Sequence, residues 1–268
     1  MIKLTLIFLV MMGNFKIVKT AVMREIPLDT LIMELAEYDV IFFGEKHDSP
    51  VSHKFELELL KGLLAKYKVV LSLEMFERDI QKWIDEYLQG NINEEEFLSK
   101  SRPWPNYKSD YRPLIEYAKV NHIPVVASNI PRWIANKVAK NGIDVLDTLN
   151  VDKNWFSKKI FPDNQEYRKR FYETMAHIHM PGMKKESMEN FYWAQCLKDA
   201  TMAESIAMAR NEYKDVKIIH MVGSFHCDYH LGTVYHLLKI SPELKMCVIT
   251  TASKAKKEIG EYLVIDAE

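Results

Sequence analysis

The chain has 268 residues, 48% of them hydrophobic and 27% charged, so it can fill a sizeable core without disulfides. Its formal net charge is −1, with basic and acidic residues interspersed; this excludes the field of one sign that a nucleic-acid binder needs. Cysteines number three, Cys196, Cys227 and Cys247, without a CxxC pair, which excludes a disulfide framework and a structural zinc ribbon.

Residues 1–13 are read apart from the rest. One lysine, Lys3, precedes an apolar run from Leu4 to Met12 broken by Thr5, and polar Asn14 and Lys16 follow. The pattern predicts a short secretory signal, too short to span a bilayer, and hence an exported protein of the periplasm or cell envelope. If the run is instead an apolar segment of the folded protein, the location is cytoplasmic. Residues 14–268 are expected to form a single domain.

From Leu28 onward, stretches with helical spacing alternate with short continuous apolar runs. The helical stretches are Leu28–Ala36, Phe55–Leu64, Ile80–Leu88, Leu114–Val120 and Ile130–Ala139. The apolar runs are Val40–Phe43, Val69–Leu73, Pro124–Ala127, Ile218–Val222, Cys247–Thr251 and Tyr262–Ile265. Continuous rather than alternating runs mean strands covered on both faces, so the chain is predicted to be α/β, a mostly parallel central sheet flanked by helices. Residues 150–188 break the alternation: the segment is polar, aromatic and Met-rich, with a Pro181-Gly182 break, and predicts a helical insertion or lid. A long helix, Ser187–Asn211, follows it, with Gln195 and Asp199 on one face.

Three motifs stand at strand ends, where open α/β sheets bind ligands. Val40–Phe43 runs into Gly44-Glu45-Lys46-His47, whose glycine is expected to permit a sharp exit from the strand, and His53 is expected near the first turn of the next helix. Val69–Leu73 ends in Glu74, a carboxylate that must be paired, protonated or bound to a cation if it is buried. Arg78 is its expected partner if the role is structural. Ile218–Val222 runs into Gly223-Ser224-Phe225-His226, repeating the glycine-to-histidine spacing of the first motif. Together Glu45, His47, Glu74 and His226 are the candidate catalytic residues, and His47, Glu74 and His226 the candidate ligands of a divalent metal. Cys227, beside His226, reads as a buried thiol rather than a soft ligand.

These motifs, Gly44–His47, Glu74 with Arg78, and Gly223–His226, resemble the TIKI/TraB/erythromycin-esterase-like superfamily. Val40–Asp48, Leu73–Gln81, Tyr111-Arg112-Pro113, Pro124–Asn129, Gln195 with Asp199 and Met202-Ala203, and Val222–Gly232 are similar to the ChaN-like family of haem-binding, iron-regulated envelope proteins. The resemblance spans roughly residues 14–235. It implies haem as ligand, a homodimer, and an outer-membrane partner in haem uptake; the lipid-anchoring cysteine that family members often carry after the signal has no counterpart here. Ferric haem takes His, Met, Cys or Tyr ligands. Tyr107, Tyr111 and Tyr229 lie in motif loops and are the candidate iron-side residues, with Arg112 and Arg78 available to propionates. His177-Ile178-His179-Met180, flanked by Met175 and Met183, is a soft-ligand cluster that reads better as adaptable helix-end packing. The same superfamily contains hydrolases, so a Glu/His-based or metal-dependent hydrolase is the alternative function.

Overall fold

A computed structural model describes residues 15–177, 185–254 and 256–266. The expected signal segment, and residues 178–183 of the His/Met cluster with its Pro181-Gly182 break, lie outside the described residues.

Among the described residues, eight strands form one sheet in the order β2-β1-β8-β7-β3-β6-β4-β5. They are β1 Phe15–Lys19, β2 Arg24–Ile26, β3 Val40–Glu45, β4 Val69–Glu77, β5 Val125–Asn129, β6 Lys217–Gly223, β7 Met246–Ala252 and β8 Tyr262–Asp266. Every pairing from β8 through to β5 is parallel. The six predicted apolar runs all became strands of this sheet. β3 and β6 are buried along their whole length. Successive side chains serve opposite faces: Ile41, Phe43, Leu71 and Ile219 enter one core, Val40, Phe42, Val70 and Ile218 the other. That is why the runs are continuous instead of alternating.

The sheet extends further than the apolar runs do. β1 and β2 add an antiparallel ribbon beyond β8, a short, half-exposed pair that no run of buried residues announces. On the opposite edge, the Gln81 amide donates to the Val125 carbonyl at 2.8 Å and accepts from the Ala127 N–H at 2.7 Å. It thereby stops the exposed ladder of β5 from recruiting another strand.

Helices α1 Leu28–Glu34, α2 Pro50–Leu64, α3 Gln81–Leu88, α4 Glu94–Ser101 and α5 Arg112–Val120 supply most of the first core. α2 starts where Ser49 caps it, its side chain accepting from the Ser52 N–H. After α6 Arg132–Asn141 and the one-turn α7 Val145–Thr148, the insertion forms α8 Gln165–His177. The predicted long helix is α9, Lys185–Glu212, and with α10 Gly232–Ile240 it covers the second face through Met202, Ile206, Val234 and Leu237. No helix among the described residues is long and apolar enough to cross a membrane.

Candidate functional site

The register of the central strands brings the two Gly-x-x-His motifs together. β3 and β6 run parallel with Gly44 opposite Val222 and Glu45 opposite Gly223. β4 flanks β6, and its ladder with β5 shifts register between Leu73 and Glu77. Glu74 lies in that irregular stretch, where its Oε2 accepts the Gly223 N–H at 2.6 Å.

The glycines are needed for closeness rather than for a turn. Gly44 lies inside β3, and a Cβ there would stand 2.7 Å from both the Cys227 Sγ and the Thr250 Oγ1. Gly223 has φ −56° and ψ 135°, open to any residue, but its Cβ would meet the His47 ring at 2.8 Å. The expected sharp exit after Gly44 is therefore replaced by tight packing of one motif on the other. Cys227 is a fully buried thiol in that contact, as read from the sequence.

Each histidine is backed by a carboxylate. His47 Nδ1 lies 2.6 Å from Glu45 Oε1, and His226 Nδ1 lies 2.6 Å from Asp199 Oδ1. A carboxylate accepts only, so both Nδ1 atoms carry the hydrogen and both Nε2 atoms remain for chemistry. The Glu45 hydrogen bond raises the His47 pKa above its ordinary value. Burial opposes charge on His226, but Asp199 and Glu74 outweigh it and its pKa is raised too. Asp199 is itself held by Tyr167 at 2.5 Å and Thr233 at 2.9 Å. His226 Nε2 lies 3.4 Å from Glu74 Oε1.

His47, Glu74 and His226 line one cleft of about 270 Å³ with Trp104, Arg132 and Lys198. Such a pair of oriented imidazoles beside a carboxylate can move a proton or bind a cation or polar ligand. The tighter group among the described residues lies beside it: donor atoms of Glu45, His53 and Glu56 all fall within 4.8 Å of one another.

The remaining predicted residues divide sharply. Arg78 does not pair with Glu74. A one-turn 3-10 helix, Arg78–Ile80, turns it toward α9, where it donates to Glu204 and Ser205 side chains and the Thr201 carbonyl, each at 2.7 Å. The Glu74–Arg78 bridge is thus replaced by a bond network tying β4 to α9. Arg112 forks onto Glu94 at 2.6 and 3.0 Å. Tyr107 is buried against Phe76 and Phe97. Tyr111 is fully buried and donates to Glu45 Oε1 at 2.8 Å; burial and Glu45 hold its proton on far above the ordinary range. Tyr229 is partly exposed, with φ 60° and the cationic groups of Arg170 and Lys256 over its ring at 4.4 and 4.9 Å.

Sequence reasoning did not find Tyr167, Trp104, Arg132, Lys198 or Glu56. Glu56 had a signal: on α2 it shares the buried stripe of Ser52, Phe55, Leu59 and Leu63, and a carboxylate on such a stripe needs a partner.

A mostly parallel α/β sheet with two carboxylate-backed histidines at its rim is thus organised around a closely packed Gly-x-x-His pair. The chain belongs to the family described as haem-binding uptake, Tiki superfamily, ChaN, whose profile matches residues 31–237. Its fold is that of ChaN of Campylobacter jejuni, a structure described as cofacial haem binding, with a TM-score of 0.73 at 18% identity over 94% of this chain and 97% of that one. An erythromycin esterase, the EreC H289N mutant in its open conformation, shares the fold at a TM-score of 0.50 and 14% identity, over 84% of this chain and 71% of that one. The protein RETICULATA-RELATED 5, chloroplastic, of Arabidopsis thaliana is 25% identical over 112 residues, 39% of this chain, and the chain spans 15% of the length of that relative.

Proposed function

We propose that the chain binds haem and serves haem or iron handling at the cell envelope, exported and acting as a homodimer that exchanges haem with an outer-membrane uptake partner. The observation that carries this reading is the family match over residues 31–237. The chemistry of one face supports it.

Ferric porphyrin asks for an anionic or neutral donor, apolar surface, and cations for its propionates. The cleft of about 270 Å³ is below the roughly 300–1,000 Å³ of typical small-molecule sites, so a whole porphyrin belongs on an outer face. Of the three predicted tyrosines, Tyr107 and Tyr111 are locked in the core, whereas Tyr229 is partly exposed. Tyr229, Phe225, Met175 and Met188, all only partly buried, pack against one buried cluster. Arg170 and Lys256 flank its ring. Tyr229 would hold the haem through its phenol oxygen, with Arg170 and Lys256 as the propionate partners. When bound, ferric haem supplies an electron-accepting iron centre that the side chains themselves lack.

Titration of the full chain with hemin should produce a shifted Soret band. Tyr229→Phe should remove the tyrosinate-type spectrum and weaken binding about tenfold or more, roughly 1.4 kcal/mol, while Glu74→Gln should leave both unchanged. A wild-type protein whose addition leaves the hemin spectrum as it is in buffer would refute haem binding; an unaltered spectrum in Tyr229→Phe would refute the ligand assignment.

A further inference from the structure

One layer beneath His47, α2 turns His53 and Glu56 toward Glu45 at the end of β3. Their side chains are 7%, 0% and 0% exposed. His53 Nε2 lies 3.1 Å from the His47 carbonyl oxygen, which can only accept, so the hydrogen of the neutral imidazole sits on Nε2. Nδ1 then offers a lone pair toward Glu56 Oε2 at 3.2 Å, a hydrogen bond if Glu56 carries the proton, and lies 3.5 Å from Glu45 Oε2. Glu45 Oε2 and Glu56 Oε1 are buried without a hydrogen-bond partner. Tyr111 and His47 both engage the other Glu45 oxygen. Among the described residues, the ion pairs of Glu45 and Glu56 involve histidines alone, with no lysine or arginine. Three side chains thus converge on one buried point with no lysine or arginine to meet them, a point that either a proton held on Glu56 by burial and by Glu45 or a cation must occupy.

We propose that this point is a binding site for a divalent metal ion, held by Glu45, His53 Nδ1 and Glu56. The site is separate from the haem face and stands whether or not haem binds. Two carboxylates cancel a 2+ charge. One imidazole with two carboxylates suits Zn²⁺, Mn²⁺ or Fe²⁺ better than Ca²⁺ or Mg²⁺. Ligands bonded at about 2.1 Å lie about 3.0–3.4 Å apart in octahedral or tetrahedral geometry; the His53 Nδ1 distances of 3.2 and 3.5 Å already meet this, and a group within 4.8 Å has to close by at most about 1–2 Å at its widest pair. The outer shell is in place: His53 Nε2 has the His47 carbonyl at 3.1 Å and Asp110 Oδ2 at 3.5 Å, the kind of partners that orient a ligating histidine. The ion would also fix Glu45, and with it the orientation of His47 at the surface, because Glu45 bridges the two.

The competing occupant is a proton shared between the carboxyls, and Glu56→Gln separates the two because it mimics the protonated acid without replacing a metal ligand of equal strength. Full-length protein is purified without chelator, analysed by elemental mass spectrometry, stripped with EDTA and titrated with Mn²⁺ and then Zn²⁺. Wild type and Glu74→Gln should bind about one equivalent per chain, and Glu56→Gln and His53→Asn should bind about tenfold less or more weakly. Mn²⁺ should raise the melting temperature of wild type by about 4 °C or more and leave that of folded Glu56→Gln unchanged. Wild type that neither retains metal nor responds to either ion would overturn the proposal in favour of a shared proton. Metal lost in Glu74→Gln but kept in Glu56→Gln would move the ion to the cleft and overturn it as well.

Discussion

Gly223→Ala probes the contact on which the site is built. The backbone accepts the change, since φ −56° and ψ 135° suit alanine. The new Cβ would stand 2.8 Å from His47 Cε1 and 2.9 Å from Nε2, whereas carbon contacts settle near about 3.5–4.0 Å. The ring must therefore retreat by about 1 Å. Its side chain is 49% exposed, so it can swing outward with little loss of packing, but it gives up the 2.6 Å bond to Glu45. A bond to a charged group contributes about 1.5–3 kcal/mol when buried, and solvent screening at this exposure cuts that to about 1 kcal/mol. Replacing glycine recovers about 0.5–1 kcal/mol from the unfolded chain.

Net stability should thus change by less than about 1 kcal/mol, while the His47 pKa falls back toward the ordinary 6.5, because the Glu45 bond is the main cause of its rise. The sign follows from linkage. A raised folded pKa contributes stability that is complete below the unfolded pKa and fades as pH climbs through the folded value. Relative to the variant, wild type should therefore be most stable at pH 5–6, where the bond worth about 1 kcal/mol is complete and is only partly offset by the glycine contribution, and should lose that advantage above the raised pKa. NMR titration of the ring, with urea unfolding at each pH, measures both. A variant whose His47 keeps its raised pKa would refute the wedged geometry.

Two further perturbations test the fold around the site. Gly232 has φ +52° and its Cβ would lie 2.5 Å from the His226 carbonyl oxygen, which is backbone and cannot yield; Gly90, at φ +78°, faces open space. Gly232→Ala should cost more than about 3 kcal/mol and Gly90→Ala about 1 kcal/mol, and equal costs in denaturant unfolding would refute the contact argument. Burial pushes the His220 pKa down to about 3, so its contribution is complete above the ordinary value of 6.5 and is lost as pH falls toward 3. Stability should fall by up to about 1.4 kcal/mol per pH unit across that window, and His220→Gln should flatten this limb; an unchanged acid limb would show that another group sets it.

Much of this molecule could be read before it was folded. Six apolar runs became β3 to β8 because a strand covered on both faces has to be largely apolar, with its few buried polar residues, such as Ser72 and His220, paired with each other. Glu45, Glu74 and His226 were expected where such runs give way to polar residues, although β4 continues three residues past Glu74 and β6 itself carries the buried His220. Gln195 and Asp199 were placed on one face by helical spacing, and both meet His226. The antiparallel β1–β2 ribbon escaped notice because it is short and half-exposed.

What the chain alone determined is which residues leave water and where its loops fall, because burial leaves a periodic trace in the order of side chains. The choice of polar partner was decided only by the folded structure. Arg78, four residues from Glu74, reaches instead across 126 residues to Glu204, and Tyr111 serves Glu45 across 66. Hydrogen bonds are directional and short-ranged, so their pairing depends on register, on a one-turn helix that redirects a side chain, and on an ångström of clearance over a glycine. None of these leaves a periodic mark in the sequence.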